Sequence, residues 1–203
     1  MSGRIHPGIN LRAGDQQPTT EGVMFGFWVF MMSDAVLFAL LFAVYASLSG
    51  NIAGGPEARQ VFKLVPAALE TGTLLLSSFT FGLASLAMKY RQSMAWLQTM
   101  LAVTLILGLT FLGLEVHDFM DMASQGAVPQ VSGFLSAFFA LVPTHFLHVA
   151  FGCVWIVVMM LQLRVFGLTH TTRTRLLRLG LFWHFLDIVW VMLFSFVFLR
   201  GLL

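Results

Sequence analysis

The sequence predicts an all-α integral membrane protein, a bundle of five transmembrane helices. Three observations predict it. Of 203 residues, 58% are hydrophobic and only 10% are charged, where soluble domains carry about 25% charged residues. The mean hydropathy is +0.87. The apolar residues fall into five runs, each near or above the ~20 residues a helix needs to cross a bilayer. One small core in water could not bury them all, and such hydrophobicity excludes a disordered chain. The net charge is +2, so the pI of 9.1 reflects few titrating groups rather than a nucleic-acid-binding surface. The single cysteine, Cys153, allows neither a disulfide framework nor a CxxC metal knuckle.

Residues 1–22 read as a polar cytoplasmic tail with Arg4, Arg12, Asp15 and Glu21 and without the apolar core of a signal peptide. Residues 23–203 read as one transmembrane domain. Its apolar runs are Val23–Ser49, Val65–Met88, Met94–Leu114, Val131–Leu163 and Leu179–Leu203. Gly50–Lys63 reads as a loop, and Pro66 suits the first turn of the second helix. Lys89–Ser93 reads as a basic turn, Glu115–Gln130 as an acidic loop and Arg164–Arg178 as a basic loop. No run alternates with the period of two of a barrel strand. The fourth run would span about 50 Å as a helix, against ~30 Å of hydrocarbon. It must tilt, break or begin outside the membrane. Pro143 predicts a kink, because its missing N–H frees the carbonyl of Phe139.

Basic residues set the orientation. Arg4, Arg12, Lys89, Arg91, Arg164, Arg173, Arg175 and Arg178 fall on one side, and Arg59, Lys63 and Arg200 on the other. The positive-inside rule then places the N-terminus in the cytoplasm and the C-terminus in the periplasm. Helices in lipid associate through small residues that let backbones approach. Ser78 with Gly82, Ser132 with Ser136 and Ala140, and Gly133 with Ala137 offer such faces.

An ionisable side chain in hydrocarbon costs on the order of 3 kcal/mol, so each one asks for a reason. The candidates are Asp34, Glu70, His145, His148, His184 and Asp187. Helical rise places Asp34 and Asp187 in one layer, about 14–16 Å from the cytoplasmic side, and Glu70 with His148 or His145 in another. His184 and Asp187 are three apart and share a helix face. Two readings stay open for these groups: hydrogen bonds that fix helix register, or a proton or assembly function. Glu115 and His117 sit near the outer interface. Arg173, Arg175 and Arg178 beside Trp183 read either as a rim for an anionic lipid head group or as topology determinants.

Haem ligation needs paired histidines facing one cavity; His145, His148 and His184 could supply ligands in principle, but His184 sits too far toward the cytoplasm for an easy pairing. The E-x-x-H pattern of a di-iron site is not supplied by H-F-L-H at His145–His148 or H-F-L-D at His184–Asp187. A nucleophile elbow and a phosphate-binding glycine fingerprint are missing too. Cys153 reads as a small packing residue. No catalytic, cofactor-binding or metal residue is assigned to this chain.

The stretch Gly26-Phe-Trp-Val-Phe-Met-Met-Ser-Asp34 resembles the first conserved helix of subunit III of haem–copper terminal oxidases. Ser132–Val149 resembles that family's H-G-x-H-V region, with Pro143 and Phe146 departing from its glycines. Phe182-Trp-His184-Phe-Leu-Asp187-Ile-Val-Trp190 resembles its W-H-F-x-D-x-V-W signature, and Gly113-Leu-Glu115 a weaker element. Asp34 stands where many members carry glutamate. Five helices are similar to the short form found in bacterial cytochrome bo-type ubiquinol oxidases. The resemblance implies an accessory subunit of a proton-pumping respiratory complex in the bacterial inner membrane. Such a subunit binds no haem or copper itself. It packs on subunit I, which holds the haems and copper, assembles with subunits II and IV, and holds phospholipid; ubiquinol is the substrate of the complex. The alternatives are a subunit III-like component of a cytochrome c oxidase or nitric oxide reductase, or an independent proton channel using Asp34 and Asp187.

Overall fold

The computed structural model describes residues 20–49, 64–90 and 93–199. The polar tail with Arg4, Arg12 and Asp15, the Gly50–Lys63 loop, Arg91 and Arg200 lie outside the described residues. The helices are α1 Thr20–Leu48, α2 Leu64–Lys89, α3 Met94–Ser124, α4 Gly133–Phe166 and α5 His170–Leu193. A π-helical segment, Phe194–Leu199, continues α5. No strand occurs among the described residues, and all five helices are long and apolar enough to cross a membrane.

Local chemistry sets the helix ends. Ser93 caps α3 by accepting the Trp96 N–H at 3.3 Å, and Ser132 caps α4 by accepting that of Leu135 at 3.2 Å. Gly167, at φ +67°, ends α4 in the left-handed region open to glycine. Thr169 and Thr172 then form a reciprocal capping box that starts α5. Pro66 falls in the first turn of α2, as expected.

Two expected loops are helical. Glu115 to Ser124 belong to α3, so the acidic segment is the last turns of a 31-residue helix. Arg173, Arg175 and Arg178 belong to the first turns of α5, and the basic connection shrinks to Gly167–Thr169. Hydropathy marks where hydrocarbon ends, whereas the helix continues until a cap or a left-handed residue stops it. The fourth run is one 34-residue helix that continues through Pro143. Of the three options for its excess length, a break is excluded.

Helices α2, α3, α4 and α5 form a four-helix bundle, in which α2 packs along α3, α3 on α4, α4 on α5 and α5 back on α2. Helix α1 lies outside it, against α4 and α5, with Phe25, Trp28, Met32, Val36 and Leu40 exposed. The buried positions recur with alternating spacings of three and four. In α2 they include Ala67, Glu70, Leu74, Ser77, Phe81, Ala84 and Met88; in α5 they include Thr172, Leu176, Leu179, Trp183, Leu186, Trp190 and Leu193. This heptad spacing is the signature of long helices crossing at a shallow angle with interlocked side chains.

Trp183 occupies the middle of the bundle and is 2% exposed. A Cβ placed on Gly108 of α3 would lie 2.9 Å from Trp183 Cη2, and one on Gly152 of α4 would lie 2.9 Å from Cζ3. The indole therefore fills the volume that these two glycines leave. Gly180 of α5 accepts the ring of Phe81 from α2 in the same way, at 2.8 Å. Of the small-residue faces expected from sequence, Ser78, Ser132 and Ala137 are buried and the rest are not packed as expected. A Cβ on Gly82 meets nothing within 4 Å, and Ser136 and Ala140 are exposed.

Gly152→Ala is expected to destabilise the protein by about 1–3 kcal/mol through overpacking against a ring that cannot move aside. Gly82→Ala is expected to leave stability unchanged within ~0.5 kcal/mol. Thermal unfolding of both variants in detergent checks the pair.

Candidate functional site: polar groups inside the bundle

Helices α2 and α5 are joined by a ladder of hydrogen bonds. Trp183 Nε1 donates to Ser77 Oγ at 3.1 Å, and that hydroxyl donates to the Leu74 carbonyl at 2.7 Å. Two turns further along α5, Trp190 Nε1 donates to Thr71 Oγ1 at 3.1 Å, and Thr71 donates to the Ala67 carbonyl at 2.7 Å. Each hydroxyl thus accepts from an indole and donates to its own helix, using both of its capacities. Ser78 Oγ lies 2.7 Å from His184 Nδ1. Asp187, one turn on, interacts with both Ser78 and His184. The local His184–Asp187 pair read from sequence is therefore a triad with Ser78 of the neighbouring helix. Thr80 and Thr104, at 2.8 Å, make the corresponding link between α2 and α3.

Asp34 and His148 tie α1 to α4. His148 Nδ1 is 2.7 Å from the Thr144 carbonyl, which can only accept, so this nitrogen carries a proton. The other nitrogen, Nε2, faces Asp34 Oδ2 at 3.9 Å. That is longer than a hydrogen bond. Phe38, one turn beyond Asp34, stacks on His148 with centroids 5.2 Å apart. The layer reading paired Asp34 with Asp187, and Glu70 with a histidine. The structure instead puts His148 beside Asp34. Helical rise places these two in different layers, so counting from the run ends locates neither the layer nor the partner of Asp34.

Glu70 interacts electrostatically with Asp118, and Glu115 with both Glu70 and Asp118. Glu70 and Glu115 are 1% and 2% exposed and stand at the packed seam between α2 and α3. Glu115, expected near the outer interface, has its side chain buried within the bundle. His145 is fully buried, and neither ring nitrogen has a hydrogen-bond partner. Its ring lies 5.2 Å from Trp190 and about one ring contact from Phe38 and Phe111, at 6.2 and 6.1 Å. Among the described residues, no three His, Cys, Asp or Glu side chains are arranged to hold a metal ion. Cys153 packs beside Gly108 in the core. The arrangement can hold protons and fix helix register; it presents no activated nucleophile.

The expected basic rim divides. Trp183 is in the core, so it does not line a surface; its indole N–H finds Ser77, the partner a buried indole needs. Arg175 Nη1 donates to Gln162 Oε1 at 3.0 Å, and Arg164 Nε to Gln98 Oε1 at 3.2 Å. Arg173 is exposed and lines a cavity at this end of the bundle, while Arg178 is half-buried. Sequence reasoning missed Ser77, Thr71, Gly108 and Gly152. The available signal was the seven-residue spacing of Trp183 and Trp190 opposite hydroxyls six apart on α2.

The described ladder is built from the residues that carried the resemblance, Phe182–Trp190. A family model of cytochrome c oxidase subunit III matches residues 9–202. The chain belongs to the cytochrome c oxidase subunit III family. It is 49% identical over 181 residues to cytochrome bo(3) ubiquinol oxidase subunit 3 of Pseudomonas putida, covering 88% of this chain and 86% of that protein. It is 37% identical over 197 residues to quinol oxidase subunit 3 of Bacillus subtilis (strain 168), covering 97% and 96%. It is also 37% identical over 195 residues to cytochrome c oxidase subunit 3 of Bacillus sp. (strain PS3), covering 94% and 92%. In this member of the family, the W-H-F-x-D-x-V-W signature supplies the α5 side of the ladder.

Ser78→Ala and His184→Ala are each expected to destabilise the fold, by about 0.6–2 kcal/mol. The double variant should lose less than the sum, because both remove one shared bond. A double-mutant cycle on thermal or denaturant unfolding measures the coupling.

Proposed function

We propose that this chain is the accessory, non-redox subunit III of a proton-pumping respiratory quinol oxidase that reduces O2 to water. The observation that carries the reading is the 49% identity to a ubiquinol oxidase subunit 3 across most of both chains. The interior chemistry supports it. His184 and Asp187 meet the Ser78 hydroxyl and His148 meets the Thr144 carbonyl, as helix-register devices do. The haems and copper belong to subunit I, ubiquinol is the substrate of the complex, and this chain packs on subunit I beside subunits II and IV. It holds phospholipid and sits in the bacterial inner membrane with its N-terminus cytoplasmic and its C-terminus periplasmic, as its basic turns favour. The exposed apolar residues of α1 suit lipid or a partner helix.

Asp34, Glu70, His145, His148, His184 and Asp187 divide by role in this reading. His184 and Asp187 serve assembly through Ser78. Asp34 and His148 are partly exposed within hydrocarbon, with side chains 12% and 23% accessible. A carboxylate at that depth serves proton uptake or durability of the complex during turnover.

Gentle affinity purification of this chain from its native membrane tests the proposal. Haem-containing oxidase subunits and quinol-driven oxygen uptake are expected to accompany it. Recovery of the chain alone and colourless would overturn the reading, and uptake driven by reduced cytochrome c but not by quinol would move it to the cytochrome c branch. Asp34→Asn is expected to keep haem content while changing proton uptake or turnover lifetime, and both being unchanged would remove Asp34 from function. His184→Ala is expected to lower the yield of co-purified subunit I.

A further inference from the structure

Helices α2 and α3 pack along their length, and Thr80 Oγ1 meets Thr104 Oγ1 at 2.8 Å across the seam. That contact fixes the register of the antiparallel pair. Glu70 lies ten residues back along α2 and Glu115 eleven residues on along α3, about 15 and 16 Å from the two threonines. The two carboxyls therefore stand at one level. Both fall on the buried spacing of their helices, in line with Leu74, Ser77 and Phe81 on α2 and with Thr104, Gly108 and Phe111 on α3. They are 1% and 2% exposed, and Glu70 Oε1 and Glu115 Oε2 have no hydrogen-bond partner.

The neighbouring elements bring no compensating charge among the described residues. On α5 this level holds Trp190 and Leu193, and Val197 and Phe198 follow on the π-helical segment packed against α2. His145, on α4, lies against Trp190 with ring centroids 5.2 Å apart. His184 and Asp187 engage Ser78, eight residues from Glu70. Lys89, Arg164, Arg173, Arg175 and Arg178 stand toward the other end of the bundle. The further charge that reaches both glutamates is Asp118, itself negative. Its side chain is 23% exposed, and its Oδ1 lies 3.7 Å from Nδ1 of His117, whose side chain is 71% exposed.

We infer that Glu70 and Glu115 hold a proton between them and exchange it with the surface through Asp118 and His117. Two carboxylates facing each other in a dry seam cannot both ionise, so the pair keeps a proton. That proton turns one carboxyl into a donor and leaves the other an acceptor. It supplies the hydrogen bond that the orphaned oxygens lack and ties α2 to α3 one heptad and a half beyond the threonine contact. Asp118 and His117 grade from half-buried to exposed, which gives the proton a way in. The site is separate from Asp34 and His148, which lie between α1 and α4. It belongs to this chain's interior and stands independently of the accessory-subunit reading.

Infrared difference spectra of the protein purified in detergent at neutral pH, wild type minus variant, test the inference through the carbonyl band of protonated carboxyls. E70Q and E115Q are each expected to shift or remove one such band, E70Q/E115Q to abolish it, and E70D to keep it at a shifted position. If the double variant does not accumulate, the single variants decide. A protonated-carboxyl band unaltered in both would overturn the inference. So would a carboxylate band at these positions that responds to sodium, since the pair would then hold a cation. In D2O the wild-type band is expected to shift as its proton exchanges, and D118N to slow that shift while leaving the band's intensity unchanged. Exchange as fast in D118N as in wild type would overturn the route through Asp118. Subunit co-purification from the same preparations reports on the accessory-subunit reading separately.

Discussion

Four helices meet at one indole. Trp183 extends from α5 into the space left by Gly108 on α3 and Gly152 on α4, and its N–H is held by Ser77 on α2. Lipid offers no hydrophobic drive for helices to associate, so packing and hydrogen bonds must hold them. The Trp183 position combines both. The glycines allow the ring to approach within van der Waals contact, and the serine fixes which way it points. The remaining α2–α5 contacts follow in register: Trp190 meets Thr71 two turns away, and His184 meets Ser78 on the adjoining face.

Polar residues in this bundle are placed at two depths of burial with different consequences. The hydroxyl–indole bonds are saturated and rigid. The ionisable groups are less complete: Asp34, Glu70, Glu115, His145 and Asp187 each leave a buried atom without a hydrogen-bond partner. An unpaired polar group in such a place is costly, which sets these positions apart from the ladder. Asp34 and His148 differ from the rest in lying between α1 and α4. The helix that carries Asp34 is also the least enclosed, which places that pair where the chain meets lipid or a neighbouring subunit.

Family membership accounts for the same features from another side. The residues of the W-H-F-x-D-x-V-W signature are structural in this chain: tryptophan and histidine reach Ser77 and Ser78, and the second tryptophan reaches Thr71. The signature thus lines the seam along which α5 closes on α2. Pro143 is accommodated inside a continuous α4, and Thr144 beside it bonds back to the Ala140 carbonyl at 2.6 Å.

Much of the architecture was legible in the sequence. Length and apolar composition determined five membrane-crossing helices, since a bilayer demands about 20 apolar residues for each, and four linked motifs determined the family. The caps at Ser132 and Gly167 were written in residue type as well. Partner choice was not. Both the packed and the lipid-facing sides of these helices are apolar, so hydropathy carries no rotational signal. Depth placed Asp34 and Asp187 together, and only tertiary structure turned Asp34 toward His148 and Asp187 toward Ser78. It also turned Glu115 into the seam between α2 and α3, and withdrew Trp183 from the surface into the cleft between Gly108 and Gly152. Helix rotation is set by which side chains interlock across the seams, and that is a property of all the helices together.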